Sequence, residues 1–142
     1  MANVLTETGQ QWVVNNLSNS GTYNGSYGGF VGWGSNPGNA TLTETATALM
    51  AEEESTATPG QRATATSVST VGSGAAAKWQ NITTCTAQSN ALSIKEAGVF
   101  DTNGAGVFSG NLFIVSTNTF TPVTLNIGET IQFTFTLDPA GC

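Results

Sequence analysis

The chain has 142 residues, the length of one domain around one core. Nine Asp and Glu against three Lys and Arg give a formal net charge of −6, with only 8% of residues charged, which excludes a protein that tracks phosphates by counterion release. No histidine is present, which excludes a His general base and His-built zinc sites.

Residues 1–27 read as an amino-terminal arm. The start, Met1 to Glu7, carries no Lys or Arg and no long apolar run, so neither a secretory signal nor a transit peptide is expected there. No segment approaches the ~20 apolar residues of a membrane span, and no membrane partner is expected. Leu5, Trp12, Val13, Asn16 and Leu17 fall at spacings that suit one face of a short helix, with Thr6 or Thr8 as N-cap and Gly21 beyond its end. The β-branched pair Val13-Val14 suits a strand as well. Residues 19–29, rich in Gly, Ser, Asn and Tyr, read as a loop.

A β-domain is expected over residues 28–142. Phe30-Val31-Gly32-Trp33-Gly34 is apolar with alternate glycines, a pattern that marks close approach of another backbone or a large ring. Ser35-Asn36-Pro37-Gly38 ends it as a turn. Residues 41–54 read as a long connection that closes on Glu52-Glu53-Glu54. That run lacks the ligand spacing and turn glycine of a calcium loop and is expected to be a solvated acidic loop.

From Gln61 the pattern turns to β. The run from Arg62 to Val68 alternates small apolar residues with Thr, as a half-buried strand does. Strand-like runs follow at 78–84 and 92–100, and Asp101-Thr102-Asn103-Gly104 is a turn signal. Asn111 to Ser116 is apolar on both faces and is expected to be a central or interface strand. In Ile131 to Leu137, Ile131, Phe133, Phe135 and Leu137 point one way and Gln132, Thr134 and Thr136 the other. Short strands separated by turns predict an all-β antiparallel sandwich or barrel-like, jelly-roll-type domain. Its core is expected around Trp79, Phe100, Phe113, Phe133 and Phe135. Cys85 and Cys142 are too few for a disulfide framework, and Cys85 reads as a small buried hydrophobe.

Catalytic patterns are scarce. The many hydroxyls have no His to activate them and no Ser-x-x-Lys arrangement. Glu96, inside an otherwise apolar strand, is the carboxylate of interest. Buried, it could serve as an acid. Its structural alternative is to pair with Lys95, Arg62 or Lys78, or to accept backbone hydrogen bonds at a strand irregularity near Gly98. Gly32 and Gly34 are too isolated to cradle phosphate. Trp12, Trp33 and Trp79 with Tyr23 and Tyr27 could stack on sugars, although such residues also fill cores and interfaces.

Together these residues carry a family likeness. Phe30-Val31-Gly32-Trp33-Gly34, Leu49-Met50-Ala51-Glu52 and Arg62-Ala63-Thr64-Ala65-Thr66 resemble the first half of small virion proteins of tailed bacteriophages. Ile94-Lys95-Glu96-Ala97-Gly98-Val99-Phe100-Asp101, then Asn111-Leu112-Phe113-Ile114, then Phe120 to Phe135 with its closing Leu137 resemble a recurrent pattern. That pattern, I-x-E-A-G-L-F-D followed by F-x-P-V-x-L-x-x-G-D-x-I-x-F-x-F, belongs to phage head decoration (cement) proteins and some fibre-associated proteins. The likeness spans roughly residues 28–138.

The resemblance implies a structural part of the virion's outer capsid surface, with no reaction, cofactor or metal. The implied partners are the major capsid protein, whose neighbouring subunits it would clamp, and further copies of the chain, with a trimer as the first expectation and no direct nucleic-acid contact. Candidate capsid-contact anchors are Leu5, Trp12, Val13, Leu17 and Trp33. The rival expectations are a tail-fibre or host-surface module that binds glycans through exposed aromatics, and a hydrolase centred on Glu96.

Overall fold

In the computed structural model, residues 3–10, 13, 28–116 and 120–138 are described, and they form antiparallel β-sheets. The strands are β1 (Asn3–Leu5), β2 (Phe30–Gly34), β3 (Glu52–Glu53), β4 (Ala63–Thr64), β5 (Ser67–Val71) and β6 (Lys78–Thr86). They continue with β7 (Leu92–Ile94), β8 (Glu96–Phe100), β9 (Leu112–Ser116), β10 (Val123–Leu125) and β11 (Thr130–Leu137). One sheet runs β1-β9-β8-β2-β3, with β4 also pairing β2; a second runs β11-β6-β5; β10 and β7 form a third, short ladder. The all-β, sandwich-like fold expected from the sequence is what the chain adopts.

The period-2 alternation of β11 decides which face looks inward. Phe133 and Phe135 are buried and join Val31, Trp33, Ala97, Val99 and Cys85 in a first core between the two larger sheets. Trp33 meets Phe133 edge to face at 6.3 Å, a geometry aromatic rings favour. Trp79 is half-buried against the same core. Burial holds Cys85 as a thiol, pushing its pKa up to about 12.

The first sheet is buried on its other face too. There Leu42, Leu49, Phe100, Leu112 and Val115 make a second core beneath the connection that leads from β2 to β3. Every residue of β8 and β9 is buried in consequence, as the doubly apolar run at 111–116 predicted. A register shift at Val99/Phe100 sets Val99 opposite Ile114 and Phe100 opposite Leu112. Phe113 is thereby left over, and both it and Ile114 reach the first core.

Two expectations change. Residues 3–10 are not a separate arm, because β1 pairs with β9 at the edge of the first sheet, so a boundary at 27/28 does not part arm from domain there. Thr6 caps the helical turn at residues 7–10, as one of the two expected caps: its Oγ1 accepts from Gly9 N at 3.1 Å. The same buried hydroxyl donates to the Leu112 carbonyl, which ties the turn to β9. The half-buried strand expected at 62–68 is likewise only partly found. Arg62 and Ala63 are buried, but β5 is exposed at all five positions; among the described strands it pairs only with β6.

Candidate functional site

The chain's single arginine organises one end of the sandwich. Arg62, only 2% exposed, enters β4 and turns its guanidinium under the loop that joins β8 to β9. Nε donates to Glu52 Oε1 at 2.6 Å and Nη2 to Glu52 Oε2 at 3.0 Å, a two-pronged ion pair. Nη2 also donates to the Phe108 carbonyl at 2.8 Å, and Nη1 to the carbonyls of Ser109 at 2.6 Å and Thr102 at 3.3 Å. All five N–H bonds of the fork are thus engaged inside the protein. The guanidinium carbon lies 3.5 Å from the centre of the Phe100 ring, so a cation–π contact closes the face that hydrogen bonds leave open.

The acidic run is therefore not a solvated loop. Glu52 and Glu53 form β3 against Gly34 and Trp33, and Glu52 is turned inward to Arg62 with 10% of its side chain exposed. Gly32 makes this possible, since a Cβ there would strike the Glu52 carboxylate. Gly34 likewise leaves room for Glu96 and the Ala51 carbonyl. The alternate glycines mark close approach, as expected. Burial pushes the Glu52 carboxyl above its ordinary range, and Glu96 and Glu54 add to the rise; the Arg62 pair opposes it.

Glu96 has the backbone role, although away from Gly98. Buried to 1% exposure, it accepts from Met50 N at 3.1 Å and Ala51 N at 2.9 Å, one bond to each oxygen. It pins the connection that covers the second core, and Arg62 goes to Glu52 instead.

Arg62's other partners form an irregular loop over residues 101–110. Gly104, Ala105, Gly106, Phe108 and Gly110 all have positive φ, and the loop is fastened at each turn. Asp101 accepts from Asn111 N and Nδ2 at 2.8 Å, and Phe108 N donates to the Gly60 carbonyl at 3.1 Å. Gly60 N in turn donates to Glu54 at 3.0 Å. At the tip of this framework Val107 stands 77% exposed.

The expected anchors fall into three groups. Trp33 is fully buried, its Nε1–H bonded to the Glu54 carbonyl at 3.1 Å, and cannot touch a partner. Its strand lies between two other strands, which turns the ring into the first core. Leu5 and Val13 are brought together on the wall of an apolar cavity of about 90 Å³, shared with Trp79, Phe113, Ile114 and Leu137. Trp12 and Leu17 lie outside the described residues.

Sequence reasoning missed Val107 as a surface feature and Arg62 as the group that supports it. The available signal was one arginine in a charge-poor chain with a Glu run close by. Among the described residues, no group of three or more His, Cys, Asp or Glu gathers to hold a metal, and no helix is long and apolar enough to cross a membrane. In comparisons with known proteins, no family model, curated protein or solved structure matches the chain.

Proposed function

We propose that this protein is a virion structural protein of a tailed phage, a capsid decoration protein that binds across neighbouring major capsid protein subunits on the outer shell. The family likeness of the sequence motivates the reading. The observation that carries it past the glycan-binding rival is the nature of the exposed apolar residues. Among the described residues these are Met50, Val68, Val71, Val107, Val123 and Ile127, all aliphatic. Sugars are held by aromatic stacking, whereas scattered aliphatic knobs suit protein pockets.

Val107 is the principal contact in this proposal. A knob on a loop already ordered by Arg62 loses little entropy on docking. Several such contacts, each weak, gain from effective concentration once the first is made. A protein that binds only the assembled shell then stabilises that shell by mass action.

Purified protein added to expanded phage heads is expected to bind stoichiometrically and to raise their melting temperature. Val107→Asp should weaken that binding by tenfold or more, roughly 1.4 kcal/mol, while circular dichroism and the protein's own melting stay unchanged. Saturable binding to host glycans with none to heads overturns the proposal.

A further inference from the structure

We propose that β5 is a self-pairing strand through which two copies of the chain join edge to edge, antiparallel, about a two-fold axis at Ser69. Among the described residues β5 is bonded on one side only, to β6. It is also uncovered on both faces: Val68 is 40% exposed and Val71 44%, although they point to opposite sides of the sheet. An edge strand of this kind is a ready template for another strand.

Natural edges are usually blunted by charge, proline or brevity. In the first sheet β1 has three residues, and β3 is the acidic pair Glu52-Glu53. Ser67-Val68-Ser69-Thr70-Val71 has no such device. It carries no charge, no proline and no glycine, and it is rich in β-branched and hydroxyl side chains.

The register follows from the sequence. With Ser69 facing itself, Ser67 meets Val71 of the second copy and Val68 meets Thr70, so no like charges are opposed in a chain of net charge −6. The other edge of the same sheet differs. Phe133 and Phe135 of β11 are buried in the core, and Leu137 lines the apolar cavity with Gly9 of the helical turn. β5 is the edge that admits a copy of itself.

Such a contact is isologous and closes at two copies, so it replaces the trimer expected from the sequence. Five residues a side fall short of the ~1,200 Å² buried by a stable dimer, which makes the pair weaker than about 1 µM in solution. Chains held side by side on a surface would pair far more readily. The pairing does not depend on the capsid reading, and it is tested without capsids.

Sedimentation equilibrium up to about 1 mM chain is expected to show reversible dimers. Ser69→Lys and Ser69→Glu should each weaken dimerisation at least tenfold by placing like charges on the axis, and an equimolar mixture of the two should restore it as a heterodimer. Amide shifts on dilution of the unaltered protein, concentrated at residues 67–71, test the same contact with no substitution. A chain that stays monomeric at 1 mM overturns the proposal, as does a dimer that survives both single substitutions.

Discussion

The loop over residues 101–110 and the strand β5 both reach the surface, and they are held in opposite ways. The loop has no regular structure and several residues with positive φ, yet its carbonyls at Thr102, Phe108 and Ser109 are gathered by one buried guanidinium. β5 has regular strand geometry and a full ladder to β6, yet none of its side chains is covered. Regular hydrogen bonding and rigidity are separate properties here. The loop is stiffened by buried charge and packing, whereas β5 relies on one ladder and, among the described residues, has no strand on its other edge.

The largest expected effect separates the two directly. Arg62→Met would leave Glu52 as a buried carboxylate without its partner and take the guanidinium donors from the carbonyls of Thr102, Phe108 and Ser109, of which Ser109 keeps the Thr102 hydroxyl. Breaking a buried pair in this way costs about 3–5 kcal/mol, to be read from urea unfolding. Hydrogen exchange is expected to quicken at Phe108 and Ser109, whose amides bond to Gly60 and Gly104, with less change in the β5–β6 ladder. Equal quickening in both regions would break the comparison.

Two glycines sharpen it. Gly60 and Gly74 have similar backbone conformations, φ +65° and +57°, so alanine meets a similar conformational penalty at each, about 1 kcal/mol. Their surroundings differ. A Cβ on Gly60 would run into the backbone of Gly106 and Val107, where the two loops touch, while one on Gly74, in the turn between β5 and β6, meets nothing within 4 Å. Gly60→Ala should therefore cost about 2–4 kcal/mol, the backbone penalty plus overpacking, and Gly74→Ala about 1 kcal/mol. Thermal or urea unfolding of the two variants side by side measures the difference, which is the packing contribution of the loop contact alone.

The same contrast explains what was legible in the sequence. Alternation from Ile131 to Leu137 and the doubly apolar run at 111–116 foretold β11 and β9, because period and polarity are local signals. The alternate glycines at 32 and 34 foretold close approach, though not that a carboxylate would make it. Glu52 read as solvated because a charge run shows its own polarity and not the space opposite, which Gly32 supplies from a strand twenty residues away. Arg62 finds its loop partners at 102, 108 and 109, where it bonds backbone carbonyls that leave no trace in residue type. β5 failed as a half-buried strand for a related reason. Its own pattern is sound, but whether another sheet lies beneath it is a property of how two sheets are offset.

The smallest expected effect is a slope with pH that comes from Glu52 at the loop end. Glu52 in the folded chain holds its proton to a higher pH than the 4.5 of an unperturbed glutamate, chiefly through burial. Above pH 4.5 the folded state therefore binds more protons than the unfolded one. Its stabilising contribution is greatest at or below that pH, declines as pH rises through the folded value, and then levels off. Urea midpoints taken from pH 4.5 to 7 should show this decline in the unaltered protein and lose it in Glu52→Gln, whatever the overall stability of that variant. β5 has no ionisable side chain, so Ser69→Ala should keep the slope of the unaltered protein. If Glu52→Gln keeps it as well, the buried pair is not its source.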